Sequence, residues 1–121
     1  MIKKKNTLIL GCKNTSIPYG VTRIGEYAFA YCCNLESIVV PDGVSSIGDN
    51  AFAYCTQLTS IDLPKSLTTI GDGVFQHCHQ FHVLTYNGTY EQWKMVKKGE
   101  FWMRGVDMFW SLNCVGTDGL W

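Results

Sequence analysis

The chain has 121 residues, 46% of them hydrophobic and 17% charged, with ten basic and ten acidic side chains and zero formal net charge. That length holds one domain, and a neutral chain lacks the basic surface that counterion release from nucleic acid requires, which excludes nucleic acid as a bulk partner. No apolar run reaches the roughly 20 residues of a membrane-spanning helix, so membrane insertion is excluded as well.

In chain order, the first feature is the run from Met1 to Cys12. Leu8-Ile9-Leu10 is expected to form a strand folded onto the end of whatever follows. Gly11-Cys12 after a short apolar run looks like a lipid-attachment signal. A signal's apolar region runs about 7–15 residues, and Thr7 to Leu10 supplies four. The lipidation reading is therefore set aside, and Lys3-Lys4-Lys5 is read as a solvated face, as are Lys94, Lys97 and Lys98.

From Pro18 the chain repeats. PYGVTRIGEYAFAYCCNLESIVV, PDGVSSIGDNAFAYCTQLTSIDL and PKSLTTIGDGVFQHCHQFHVLTY align, and the prolines at Pro18, Pro41 and Pro64 are 23 apart (41 − 18 and 64 − 41). Val21/Val44/Leu67, Ile24/Ile47/Ile70, Ala28/Ala51/Val74, Phe29/Phe52/Phe75, Cys32/Cys55/Cys78, Leu35/Leu58/Phe81, Ile38/Ile61/Leu84 and Val40/Leu63/Tyr86 form columns. A period of 20–29 residues with an L-x-x-I-x-L core is the leucine-rich-repeat signature. In Leu58-Thr-Ser-Ile61-Asp-Leu63 the last two apolar residues are two apart and share one face of a strand. Pro64 ends that strand, since it has no N–H to donate. Gly48 is expected to turn the chain through a φ that other residues avoid. Ala51, Phe52 and Cys55 then fall at i, i+1 and i+4, the inner face of a short helical turn. One coil cannot bury these residues alone, whereas stacked coils bury continuous columns.

The predicted fold is an α/β solenoid: a right-handed stack with short parallel strands on one side, short helical turns on the other, a 23-residue period and capped ends. It is one domain, 1–121. Residues 1–17 form an N-terminal cap and degenerate repeat, and 18–40, 41–63 and 64–86 are full repeats. Residues 87–121 form a C-terminal cap with one helix. Subtracting 23 from Leu35 gives Cys12 a core position, so Cys12 to Ile17 reads as a degenerate first strand. In the C-terminal cap, Thr89-x-x-Gln92 is a capping box and Gly99 a C′ residue, enclosing a helix of about nine residues. Trp93 and Val96 share its inner face, and Trp102, Trp110 and Trp121 add apolar cover for the open end.

The stretch from Ile17-Pro18 to Leu84 resembles the BspA-like (Treponema-type) leucine-rich-repeat family almost column for column. The resemblance extends over about residues 6–121, because the segment from Tyr86 to Trp93 with Lys97-Lys98-Gly99 is similar to the family's terminal unit. Asn113-Cys114-Val115-Gly116-Thr117-Asp118-Gly119 carries two extra residues relative to the family's closing strand. What the resemblance implies is a bacterial surface or secreted protein that adheres to host, matrix or other cell-surface proteins. The chain carries no export signal that can be read from its residues, so a cytoplasmic home stays open.

Candidate chemistry is sparse. Stacked cysteines at strand spacing keep their Cβ atoms about 5 Å apart or more, beyond disulfide reach within the column. Cys32, Cys55 and Cys78 are therefore read as buried free thiols, with Cys33 outside the column. His77, Cys78, His79 and His82 do not converge as a four-ligand zinc site must, and no carboxylate is placed to orient a Cys–His pair. Asn14-Thr15-Ser16 and Asn87-Gly88-Thr89 match the glycosylation sequon by coincidence. No enzyme activity, cofactor or metal is expected. The default binding surface is the exposed side of the strand sheet: Asn14, Ser16, Ser37, Val39, Ser60, Asp62, Val83 and Thr85, with Asp62 its one charge. A hydroxyl-rich, low-charge face suits a protein or glycan partner. The competing readings are a structural spacer or truncated repeat fragment without a ligand and, more weakly, a thiol- or metal-dependent enzyme.

Overall fold

The computed structural model describes residues 2–4, 7–10, 16–106 and 110–116. Its strands are β1 Ile2–Lys4, β2 Thr7–Leu10, β3 Arg23–Ile24, β4 Ser37–Val39, β5 Ser46–Ile47, β6 Ser60–Leu63, β7 Thr69–Ile70, β8 Val83–Tyr86, β9 Lys97–Lys98 and β10 Ser111–Cys114. One helix, α1, spans Tyr90–Met95.

The strands stack into two sheets in a solenoid-like repeat fold. One sheet has the order β10-β8-β6-β4, all parallel. The other has the order β1-β2-β3-β5-β7-β9, parallel except for the antiparallel β1–β2 pair at its edge. Partners in successive coils are equivalent positions: Arg23 pairs with Ser46 and Ser46 with Thr69, Ser37 with Ser60 and Ser60 with Val83. Every member of the eight apolar columns is buried. Burying a Leu, Ile or Phe side chain contributes about 1.5–3 kcal/mol, so the columns are the main stabilising element.

The second sheet corrects the expectation of strands on one side only. The short helical turns are also absent: residues 26–31, 49–54 and 72–77 are tight bends. In each bend alternate N–H groups leave the coil instead of closing a helix. Tyr27, Phe29 and Tyr31 donate to the carbonyls of Asp49, Ala51 and Ala53. Asn50, Phe52 and Tyr54 donate to Asp72, Val74 and Gln76, and Gly73, Phe75 and His77 to Glu100, Trp102 and Arg104. Each bend is thus tied to the next coil, which satisfies its backbone donors between coils. The geometry requires left-handed backbone at Tyr27, Asn50 and Gly73 (φ 57, 57 and 61°) and again at Tyr31, Tyr54 and His77 (φ 63, 61 and 60°). For non-glycine residues that conformation costs roughly 1–2 kcal/mol each.

Gly48 is needed for a different reason from the one expected. Its φ is not positive. A Cβ there would lie 2.8 Å from the Glu26 nitrogen and 2.9 Å from the Gly25 carbonyl carbon. Coils approach too closely at this row for any side chain, which fixes glycine through space and not through φ.

The C-terminal segment is more than a cap. Lys97 pairs with Thr69 and Ser111 with Val83, each 28 positions on (97 − 69 and 111 − 83). Lys97–Lys98 and Ser111–Cys114 therefore belong to a further coil, and the additional five residues (28 − 23) accommodate α1. Thr89 accepts from the Gln92 N–H at 3.1 Å while Gln92 Oε1 accepts from the Thr89 N–H at 2.9 Å, the capping box expected from the sequence. The helix ends at Met95, earlier than the nine residues expected, and Gly99 is not its C′ residue. Gly99 occupies the Gly71 position of the added coil, donating to the Ile70 carbonyl. Trp93 and Val96 are both buried against the stack, and Trp102 and Trp110 are partly buried on it. Trp121 lies outside the described residues, as do Cys12, Asn14 and residues 117–120.

Candidate functional site

The four-stranded sheet turns Ile38, Ile61 and Leu84 inward and the alternate residues outward. Parallel register then aligns two outward rows. Ser37, Ser60, Val83 and Ser111 form one. Val39, Asp62, Thr85 and Asn113 form the other, extended by Ser16 through its bridge to Val39. Seven of the eight residues singled out in the sequence, all but Asn14, are described, and all seven fall in these rows.

Ser111 and Asn113 complete the rows and were not anticipated. Their signal was the 28-residue offset, legible only once Lys98-Gly99 is matched to Ile70-Gly71.

The hydroxyls at the sheet margin are partly spent on the fold. Thr59 donates its hydroxyl to the Glu36 carbonyl at 3.1 Å and Ser111 to the His82 carbonyl at 3.3 Å. Ser37, Ser60 and Thr85 make no such side-chain bonds among the described residues. Val39, on the edge strand β4, is 58% exposed. A depression opens at the β4 margin, lined by Ser16, Ile17, Ser37, Ile38, Val39 and Pro41. This arrangement offers hydrogen-bonding hydroxyls beside a small apolar edge, with one carboxylate.

The cysteines depart from expectation at one position. Cys32 is disulfide-bonded, whereas Cys33, Cys55, Cys78 and Cys114 are free. Column spacing forbids bonds within the column and Cys55 and Cys78 obey it, but it does not restrain a bond that leaves the column. Cys55 and Cys78 donate their thiols to the carbonyls of Phe29 and Phe52 at 3.0 and 3.1 Å. The Cys78 pKa is driven up, first by its hydrogen bond with the Cys55 thiol and then by burial. Burial likewise raises that of Cys114. Both stay thiols at neutral pH, unlike a nucleophile, which must be a thiolate.

His77 and His79 meet edge to face with ring centroids 5.8 Å apart, and each has a different further neighbour. His77 stacks on Tyr54 with centroids 4.7 Å apart, His79 lies 3.2 Å from the Gly105 carbonyl, and His82 precedes β8 on the sheet side. Among the described residues no three His, Cys, Asp or Glu side chains group as metal ligands. No helix of the described residues is long and apolar enough to cross a membrane.

Compared with known proteins, the chain matches the family model of the BspA type leucine-rich repeat region in six copies over residues 9–100. No curated protein and no solved structure matches it.

Proposed function

The chain belongs to the BspA-type leucine-rich-repeat family, and on that premise we propose that it is a non-catalytic protein-interaction module of the adhesion type. Its binding surface is the outer face of the four-stranded sheet: Ser16, Ser37, Val39, Ser60, Asp62, Val83 and Thr85, with Ser111 and Asn113 added; Asn14, expected there from the sequence, lies outside the described residues. The observation that carries the reading is the pair of aligned outward rows, a preformed and nearly uncharged surface spanning successive coils. Preformed surfaces lose little entropy on binding, and solenoids use such extended faces for partners.

A cell-surface or secreted setting accords with the family. It accords too with the disulfide at Cys32, since disulfides persist in oxidising compartments. We take residues 1–121 as one domain in this proposal.

Capture of proteins and glycans from cell-surface and matrix extracts on the immobilised protein tests the proposal, with a Ser60→Arg/Thr85→Arg variant alongside. Both substitutions lie on half-exposed outward positions, so circular dichroism should be unchanged. Ligands retained by the parent and lost by the variant support the reading. Ligands captured equally by both place binding elsewhere, and an empty capture favours the spacer reading.

A further inference from the structure

The bends carry a second surface that the proposed function does not use. On it Tyr27, Tyr31 and Tyr54 are 54%, 62% and 36% exposed. Tyr31 and Tyr54 stack at 4.9 Å with 6° between planes, and the ladder continues through His77. Tyr27, Tyr31 and Tyr54 all hold the left-handed backbone that the bends require, which fixes the direction in which their rings leave the coil.

Each bend also begins with a carboxylate. Glu26, Asp49, Asp72 and Glu100 occupy one row, one per coil. The Asp49 and Asp72 carboxylates accept from the backbone N–H of Asp72 and Glu100, both at 2.8 Å. Among the described residues none of the four is in an ion pair; the one ion pair is Lys94–Glu91 on α1.

The last coil displays what such a surface takes. There Phe101, left-handed at φ 57°, lies under the Arg104 guanidinium, 5.1 Å from ring centroid to Cζ. Subtracting 28, 23 and 23 places Phe101 over Gly73, Asn50 and Tyr27, and Arg104 over Gln76, Ala53 and Ala30. The first coil thus has the ring without the cation: Tyr27 is exposed, Ala30 stands where the arginine would be, and no cation or ring of the described residues covers Tyr27. Glu26, next to Tyr27 in the chain, is exposed; its counterpart Glu100 makes no ion pair with Arg104, so a carboxylate here supplies general negative charge and not a fixed partner.

We propose that the first bend is a docking surface for an arginine-bearing segment of a partner protein, with the guanidinium on the Tyr27 ring and the acidic row that Glu26 begins supplying the opposite charge. The partner is cationic because the row in these bends is acidic and, among the described residues, no cation pairs with it. Arginine suits it better than lysine because its planar, weakly hydrated head stacks on rings. This surface does not depend on the sheet-face reading.

A synthetic peptide of alternating glycine, serine and arginine is the probe, and the same peptide with glutamate for arginine is its control. Titration into isotope-labelled full chain should shift the resonances of Glu26, Tyr27 and Tyr31 with the arginine peptide only, leaving Ser60 and Thr85 unmoved. Tyr27→Ala, at an exposed ring, should weaken binding about three-fold or more, Tyr27→Phe should retain it, and Glu26→Gln should reduce its salt dependence. Equal affinity in the parent and Tyr27→Ala would mean nonspecific charge attraction and would overturn the proposal. So would bend resonances that stay still at millimolar peptide.

Discussion

Phe52 is fully buried, with its ring 5.0 Å from that of Phe29 and 5.6 Å from that of Phe75. It is the middle of a ring column, so truncation removes contacts on both sides and the neighbouring coils, tied by backbone bonds, cannot collapse into the gap. Phe52→Ala should cost about 3–5 kcal/mol, read from the midpoint of urea denaturation; a loss below 1 kcal/mol, under the range for such truncations, would show that the column is not the core. At this scale the sequence was most legible inside the stack. Inward positions were identifiable because apolar identity is forced wherever a side chain touches the coils above and below. The left-handed residues were not identifiable. Tyrosine at Tyr27, Tyr31 and Tyr54 carries no sign of positive φ, because the conformation is imposed by inter-coil hydrogen bonds and not by local preference.

The last short strand, β9, consists of two lysines on the outer edge of its sheet. Charged residues on an edge strand discourage further pairing, and Lys98 stands where the preceding coil has the buried Ile70. Lys98 Nζ donates to the Trp93 carbonyl at 2.8 Å and lies 4.2 Å from the Trp93 ring centroid. Burial nevertheless lowers its pKa below the ordinary 10.5. The unfolded chain therefore holds this proton more tightly than the folded one. This group's contribution to stability rises as pH climbs through the folded value toward 10.5. Lys98→Met should flatten that rise, measured as denaturation midpoints from neutral pH upward, and an unchanged slope would assign the pH dependence to other groups. Elements were legible in proportion to their length. The strands ending at Val39, Leu63 and Tyr86 follow from alternation. Two-residue strands such as Ser46–Ile47 leave no periodic trace, and the i, i+1, i+4 spacing of Ala51, Phe52 and Cys55 fits a helical turn and a tight bend equally. The coil after Tyr86 was hidden because α1 displaces its register by five positions.

Across the whole molecule, coils touch only their neighbours, so opening should proceed from the ends inward. Hydrogen exchange should find the amides of Gly48 and Phe52, bonded between inner coils, slower than those of Arg104 and Val106, bonded within the last one. Uniform protection along the chain would instead mean a single all-or-none unit. The outward rows of the sheet were legible early, because parallel stacking converts sequence period into spatial alignment. The second surface was not, since it depends on a guanidinium–ring pair separated by a register shift. The bends have one further consequence. Three N–H groups in each bend point toward the C-terminal end of the stack and the carbonyls that receive them point back, whereas the N–H groups of Asp72 and Glu100 point the other way, to carboxylates of the preceding coil. Each peptide unit carries about 3.5 D, so the aligned units add up to an electric dipole running across the chain direction. Its negative pole is at the first coil, where the carbonyls of Glu26, Ala28 and Ala30 meet no donor among the described residues. Its positive pole is at the last, at the N–H groups of Phe101, Met103 and Gly105. The bend side of the stack is therefore directional, presenting carbonyls at its beginning and N–H groups at its end.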